Sequence, residues 1–201
     1  MKNFKFIILL GLLLIAIYFV VDRVIPYSNF SIDQYGNYYW ANKWWLAGHL
    51  FGGMIALLIG PFQFNKSFRN KYLKTHRNLG KAYIIAIIIS SLCAIYMSFT
   101  VAPQVNSAWS IALFFLAFAW LASVLMAYRA IRKRRIIQHQ EWMIRSYVIT
   151  FGFVLFRFID EHAISQLFMK DFAERGPTCI WLAWAVPLFF AEIALQWNKK
   201  Q

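Results

Sequence analysis

The sequence predicts an all-α integral membrane protein with six transmembrane helices. Of its 201 residues, 61% are hydrophobic and only 14% are charged, whereas soluble proteins carry about 25% charged residues. The apolar residues also fall into six runs, each near the ~20 residues that a helix needs to cross ~30 Å of hydrocarbon. These runs are too long, and alternate too little, to be transmembrane β-strands.

The six runs divide a single membrane domain (1–201) into three parts. The first run follows Lys2 and Lys5, exceeds the core of a signal peptide and lacks a small-residue cleavage site, so we interpret it as a retained anchor. We expect an anchor helix with an outer segment (1–43), a four-helix core (44–161), and an outer loop with the last helix (162–201). The predicted spans are 4–21, 44–64, 80–102, 107–130, 142–161 and 178–197.

Lysine and arginine are concentrated on one side of the predicted membrane. Fifteen lie at the chain ends and in the loops 65–81 and 129–141, whereas the other loops hold four. Because short loops rich in these residues stay in the cytoplasm, both termini are predicted to be cytoplasmic. Topology therefore accounts for the net charge of +13, and no nucleic-acid-binding motif accompanies it.

Two predicted hairpins, helices 2–3 and helices 4–5, resemble each other around their basic loops. His76-Arg-Asn-Leu-Gly-Lys-Ala-Tyr83 in the first parallels His139-Gln-Glu-Trp-Met-Ile-Arg-Ser-Tyr147 in the second, with one residue of slippage. A duplication into parallel repeats would give His76 and His139 equivalent positions, facing each other across the bundle. A chance match explains the same similarity, and the sequence leaves both explanations open.

All four histidines lie near the ends of spans. His76 and His139 are on the basic side, and His49 and His162 are on the other. Paired histidines on adjacent helices provide axial ligands for haem b, and imidazole also binds copper, iron or zinc. This arrangement favours a haem or metal held by His76 and His139. The alternative is that these are interfacial histidines bonded to backbone or lipid headgroups.

His49 lies beside a ladder of small residues, one on each helical turn. The ladder consists of Gly48, Gly52, Ala56 and Gly60. Small residues at this spacing let two transmembrane helices pack closely. The same ladder would leave room for a flat macrocycle beside His49, which makes this histidine a further candidate ligand.

A charged residue inside a transmembrane span costs at least about 2.5–3.5 kcal/mol, and the clear cases here are Arg145, Arg157 and Glu192. Arg145 and Glu192 have equal predicted depth on the fifth and sixth helices, which favours an ion pair. Arg157 can reach Asp160 or Glu161. The alternative role for either arginine is to hold a haem propionate or another anionic ligand.

Four motifs resemble a bacterial family of multi-pass membrane proteins, domain of unknown function 2306. They are His49 with its following glycines, Gly60-Pro-Phe-Gln-Phe64, His76-Arg-x-x-Gly-Lys-x-Tyr83 and His139-x-x-Trp-Met-x-Arg-Ser-Tyr147. The resemblance covers about 45–160, leaves the first and last helices outside, and implies a bacterial inner membrane. More remotely, the histidine placement is similar to that of transmembrane b-type cytochromes. His139 and His162 are spaced too widely for the two-ligand helix of those cytochromes, which counts against a second haem.

Three functional hypotheses follow. The first is a redox protein that binds one haem b or a metal and passes electrons near the cytoplasmic face, with quinone or an outer acceptor as partner. The second is a non-enzymatic subunit or assembly factor of a larger membrane complex, docked through the small-residue ladder. The third is a carrier for a small molecule or lipid. Nucleotide-binding loops and the HExxH and GxSxG motifs do not occur, so kinase, protease and hydrolase functions have no basis in the sequence.

Overall fold

The computed structural model of the chain describes residues 2–162 and 169–197, with side chains from Ile7 onward. Lys199 and Lys200, which contribute to the charge count, lie outside the described residues, as do the side chains of Lys2 and Lys5. Six helical segments are long and apolar enough to cross a membrane: Ile7–Asn29, Lys43–Phe64, Leu73–Gln104, Ser107–Arg132, Ile136–Glu161 and Phe172–Trp197. The prediction of an all-α protein with six transmembrane helices is confirmed.

The chain forms two compact units, Met1–Ser90 and Ser91–Gln201. The boundary falls within one long helix. The secondary-structure elements of unit 1 are α1 (Lys2–Phe19), a π-helical turn (Val20–Val24), a 3₁₀ turn (Ile25–Asn29), α2 (Ile32–Trp40), α3 (Lys43–Phe64), α4 (Lys66–Lys71) and the first part of α5 (Leu73–Thr100).

In unit 1, α3 contacts α1, α2 and α4. The turn between α1 and α2 ends at Phe30, whose left-handed backbone (φ 47°) reverses the chain. Ser31 then caps α2 by accepting a hydrogen bond from the Gln34 N–H (3.3 Å). The Asn65 side chain caps α4 in the same way, accepting from the Phe68 N–H (3.0 Å). Side-chain caps therefore fix where the two short helices, α2 and α4, begin.

Unit 2 holds the rest of α5 and three long helices that all contact one another. The elements that follow α5 are a 3₁₀ turn (Ala102–Gln104), α6 (Ser107–Arg132), α7 (Ile136–Glu161) and α8 (Phe172–Trp197). α7 contacts both α6 and α8 extensively. At the centre, the fully buried Trp120 of α6 donates its indole N–H to Thr150 Oγ1 of α7 (2.8 Å). This bond satisfies an indole donor that has no access to water.

Three long helices begin earlier than the apolar runs predict. α5 begins at Leu73 rather than 80, α7 at Ile136 rather than 142, and α8 at Phe172 rather than 178. Hydropathy excludes the polar and charged residues that precede the apolar runs, yet Lys, Arg and Gln are good helix formers whose polar ends reach back to water. As a result, His76 and His139 lie inside helices and not at the ends of loops.

Candidate functional site

A half-open surface pocket of about 350 Å³ lies at the hairpin between α6 and α7. α6 ends at Arg132, and Arg134 adopts a left-handed conformation (φ 58°), so the chain reverses and starts α7 at Ile136. We call this space the basic cavity. Its lining residues are Met126, Arg129, Ala130, Lys133, Arg135, Gln138, Glu141, Trp142 and Arg145.

Most of the charge on the cavity wall is positive and uncompensated. Four lining residues are cationic, whereas Glu141 is the one carboxylate among them. In the described part of the chain, no carboxylate oxygen lies within 4.0 Å of a side-chain nitrogen of Arg129, Lys133 or Arg135. Cations held close together without counter-charges repel one another and attract an anion.

Arg145, the fourth cation, has carboxylates on two sides. Its Nε and Nη2 donate to Glu192 Oε2 of α8 at 2.8 and 2.6 Å. Its Nη1 lies 3.9 Å from Glu141 Oε2, one turn earlier on α7. The guanidinium carbon is 4.8 Å from the centre of the Trp142 ring. The structure thus brings Arg145 and Glu192 together and adds a cation–π contact to the pair.

The sequence predicted that the cations of the α6–α7 loop set the membrane topology, and it did not predict the cavity. The missed signal is helical spacing. Arg135, Gln138, Trp142 and Arg145 recur every three or four residues, so they line one face of α7. Met126, Ala130 and Lys133 recur in the same way along the end of α6.

His139 lies on the first turn of α7, where its Nδ1 is 2.9 Å from the Ala127 carbonyl oxygen of α6. Donation from Nδ1 to this carbonyl leaves Nε2 as the acceptor or ligand atom. Histidines that ligate metals commonly make this backbone contact. The same contact also serves to join two helices, so it is compatible with a ligand and with a structural histidine.

His76 has the same helical register in α5 as His139 has in α7. Each is the fourth residue of its helix, and each donates its backbone N–H to the residue before the helix, Tyr72 and Arg135 respectively, at 2.9 Å. The proposed duplication predicts this equivalence. Since the two histidines belong to different units, their joint ligation of a haem or metal stays a prediction.

His49, in unit 1, is bonded to α5. Its Nδ1 is 3.2 Å from the Ser90 carbonyl oxygen and 3.1 Å from Ser90 Oγ, and Ser90 Oγ donates to the His49 carbonyl at 2.6 Å. One turn along α3, a Cβ on Gly52 would be 2.7 Å from the Ala86 carbonyl oxygen and 2.9 Å from Ser90 Cβ. The backbone of α5 therefore fills the space beside Gly52.

The small-residue ladder is thus used, at Gly52, for packing within this chain. Gly52, Ala56 and Gly60 are buried, and Gly48 is partly buried. The Gly52 face accommodates neither a macrocycle nor a helix of another subunit, because α5 already contacts it. Two of the roles considered for the ladder, haem accommodation at His49 and docking of a partner, lack space at this position.

A buried ion pair that was not predicted from the sequence lies at the opposite end of unit 2. Arg175 Nε donates to Asp160 Oδ1 at 2.7 Å, and both side chains are about nine-tenths buried. Arg157, which we expected to reach Asp160 or Glu161, is exposed, and its guanidinium carbon lies 5.6 Å from the Phe156 ring centre. His162, also at this end, has its Nδ1 2.6 Å from the Phe158 carbonyl oxygen.

Within residues 2–162 and 169–197, no three side chains of His, Cys, Asp and Glu cluster in a way that could hold a metal ion. Bis-histidine haem needs two axial imidazoles. In unit 2, His139 is the one described histidine on the side of the basic cavity.

The sequence profile of a family described as "Predicted membrane protein (DUF2306)" matches residues 46–195. No curated protein and no solved structure matches the chain. The profile includes the last helix, so the prediction that this helix lies outside the resemblance was wrong. Because the match covers well over half of the residues, the chain belongs to the DUF2306 family of predicted membrane proteins.

Proposed function

We propose that this protein binds an anionic, phosphate- or carboxylate-bearing ligand in the basic cavity, as a carrier or binding protein for a lipid or small molecule. The observation that carries the proposal is that Arg129, Lys133 and Arg135 line one cavity and have no carboxylate within 4.0 Å among the described residues. Arginine side chains bind phosphate and carboxylate groups through paired hydrogen bonds.

The shape and position of the cavity support a headgroup-sized ligand. Its volume of about 350 Å³ is at the lower end of the ~300–1,000 Å³ of ligand pockets. Met126 and Trp142 add apolar lining beside the cations. A helix of 26 residues, such as α6 or α7, is roughly 39 Å long, so its end extends beyond the ~30 Å hydrocarbon layer into the headgroup layer. A lipid phosphate and a soluble organic anion can both reach such a site.

We place the basic cavity on the cytoplasmic side of a bacterial inner membrane. The support is the ratio of fifteen to four lysines and arginines between the two sides. Reporter fusions after Lys43, Asn106 and Glu174 are expected to report the outside. A cytoplasmic signal at any of these three positions would reverse or shift the assignment. The cytoplasmic leaflet is also where anionic lipids concentrate.

The binding experiment uses the purified full chain and two probes. Nanodiscs of phosphatidylcholine with or without phosphatidylglycerol test a lipid headgroup, and inorganic phosphate in detergent tests a soluble anion. Thermal stabilisation by either probe is expected, since a ligand that binds only the folded state raises its stability. A response to phosphatidylglycerol alone identifies a lipid ligand. A response to phosphate in detergent identifies a soluble one.

A matched pair of variants separates the cavity from the general charge of the loop. Arg129→Gln with Arg135→Gln removes two cations that line the cavity. Arg132→Gln with Arg134→Gln removes two exposed cations of the same hairpin that do not line it. We expect at least about tenfold weaker binding in the first variant, from the loss of two charge-assisted hydrogen bonds, and little change in the second. Equal weakening in both would attribute binding to non-specific attraction by the loop and would refute the proposal.

A haem- or metal-binding redox function is the second candidate. It is favoured by the Nδ1 contact of His139 with the Ala127 carbonyl, which orients Nε2 as a ligand. Haem, when bound, would supply one-electron transfer, and the cavity arginines would pair with its propionates. The purified protein would then have a Soret band that shifts on reduction and disappears in His76→Ala and His139→Ala but not in His162→Ala. Protein that lacks haem and stoichiometric transition metal, after expression with adequate supply, would eliminate this candidate.

A further inference from the structure

Arg145 differs from the other cations of the basic cavity because it forms a close ion pair with a carboxylate, that of Glu192. One oxygen of Glu192, Oε2, accepts from both Nε and Nη2 of Arg145 (2.8 and 2.6 Å). Arg145 also lines the cavity. The most buried of the four cavity cations, Arg145, is therefore already paired with a carboxylate of the neighbouring helix before a ligand anion enters the cavity.

The two partners of this pair differ in their access to water. The Arg145 side chain is 12% exposed, whereas that of Glu192 is 41% exposed. Moving Glu192 away from Arg145 thus returns to water a carboxylate that is already partly hydrated. Arg145 would lose its partner in a partly buried position, where an unpaired charge is unfavourable. Glu192 can be exchanged for another anion, but Arg145 cannot be left without one.

Glu192 is also held from its own helix. The second carboxylate oxygen, Oε1, accepts a hydrogen bond from Gln196 Nε2 at 2.6 Å, one turn further along α8. Gln196 therefore orients Glu192 so that its other oxygen is directed to Arg145. In addition, Glu141 lies 3.9 Å from Arg145 Nη1 on the cavity wall. An incoming anion meets two like charges near the same guanidinium.

We infer that Glu192 is a built-in competitor of the ligand: it pairs with Arg145 in the ligand-free protein and is displaced by the ligand's anionic group, which releases the end of α8 from α7. This inference rests on the proposed function, because it requires an anion in the basic cavity. It assigns Glu192 a regulatory role outside the cavity lining. By reciprocity, the factor by which a bound anion weakens the Arg145–Glu192 contact equals the factor by which this contact weakens anion binding.

The test compares anion affinity in three single-residue variants with that of the wild-type chain. Glu192→Gln removes the competing charge but keeps an oxygen that can accept from Arg145. Gln196→Leu keeps the charge and removes the hydrogen bond that orients it. Glu174→Gln, on the same helix at its other end, removes an equal charge from an exposed position far along α8, and it is the matched control.

We expect Glu192→Gln to bind inorganic phosphate, or phosphatidylglycerol nanodiscs, at least about fivefold more tightly than wild type. Gln196→Leu should show a smaller gain, and Glu174→Gln should show none. The ligand-free Glu192→Gln protein should melt at a lower temperature yet gain more from ligand than wild type does. A purely structural ion pair would lower the melting temperature without increasing that gain.

The outcomes separate this inference from the proposed function. If wild type binds the probes and folded Glu192→Gln and Gln196→Leu bind equally or more weakly, the competitor role is overturned and the proposed function stands. Should neither wild type nor any variant bind phosphate or phosphatidylglycerol, both are overturned. Should Glu174→Gln tighten binding as much as Glu192→Gln, the effect is one of net charge, and the competitor role is again overturned.

Discussion

Among the described residues, two ion pairs join α7 to α8, one near each end of unit 2, and their side chains are exposed to water to different extents. At one end, Arg175 and Asp160 are 12% and 9% exposed. At the other end, Arg145 is 12% exposed but Glu192 is 41% exposed. Both pairs are short, at 2.7 and 2.6 Å. The chemistry is the same, so the difference in function between the two ends has to come from their surroundings.

We call Arg175–Asp160 the closed pair and Arg145–Glu192 the open pair. In the closed pair, further groups accept hydrogen bonds from the arginine. Arg175 Nη1 also donates to the carbonyls of Met169 (3.1 Å) and Lys170 (3.0 Å). Trp109 of α6 contacts the rings of both Phe156 and Phe172 beside it. This pair fixes the start of α8 on α7. The open pair instead borders the basic cavity through Arg145, and Glu192 can be replaced there by the anionic group of a ligand. A buried pair stabilises the fold, whereas a half-exposed pair beside a cavity can respond to a ligand.

The largest expected effect is at the closed pair. Asp160→Ala leaves Arg175 charged, buried and without its carboxylate, so we expect a loss of about 3–5 kcal/mol in the free energy of unfolding. Denaturant unfolding in mild detergent measures it. The double variant Asp160→Leu with Arg175→Leu should recover much of this loss because it leaves no unpaired charge. A loss below about 1 kcal/mol in Asp160→Ala would show that this pair is not closed to water.

The same substitutions at the open pair should have a smaller effect. If Arg145 and Glu192 were both fully buried, removal of either partner would cost several kcal/mol. The 41% exposure of Glu192 reduces this, because water replaces part of the lost interaction. We expect about 1–3 kcal/mol for Arg145→Met, and partial recovery in Arg145→Met with Glu192→Leu. If single and double variants lose equal stability, the two residues act through other partners.

A third prediction concerns the close approach of α7 to α8 at Gly152, between the two ion pairs. Gly152 of α7 lies midway, and a Cβ there would be 3.1 Å from Trp184 Cβ and 3.3 Å from the Ala183 carbonyl oxygen of α8. Gly152→Ala must push the two helices apart by a few tenths of an ångström. We expect a loss of about 1 kcal/mol, at the low end of overpacking effects. Gly11→Ala, where no atom lies within 4 Å, is the control and should not destabilise.

The comparison also shows what can be predicted from a sequence of this kind. Six apolar runs predict six spans because the cost of exposing backbone to lipid leaves helices as the only solution. The equal depth of Arg145 and Glu192 below the membrane face predicted their ion pair, and the structure confirms it. Arg175 was assigned to an outer loop, yet α8 begins before it, so its pairing with Asp160 depended on a helix boundary that hydropathy does not mark. The basic cavity was missed because side chains from two helices form it, and their convergence is tertiary.

The smallest expected effect on stability is at the wall of the basic cavity, and its sign is informative. Lys133 lies near Arg129 and Arg135 on the cavity wall, with no carboxylate within 4.0 Å in the described residues. Lys133→Gln removes repulsion, so the ligand-free protein should be unchanged or stabilised by up to about 0.5 kcal/mol. Its stabilisation by phosphate or phosphatidylglycerol should decrease, because the ligand loses one counter-charge.

Arg132→Gln is the control for this last measurement, since Arg132 is the preceding residue and does not line the cavity. It should leave both the ligand-free melting temperature and the gain from ligand close to wild type. Residues kept for binding are commonly unfavourable for stability, whereas residues kept for folding are not. A loss of more than about 1 kcal/mol in ligand-free Lys133→Gln would show that Lys133 stabilises the hairpin. The end of unit 2 that holds the basic cavity would then have a structural role, like the end that holds Arg175 and Asp160.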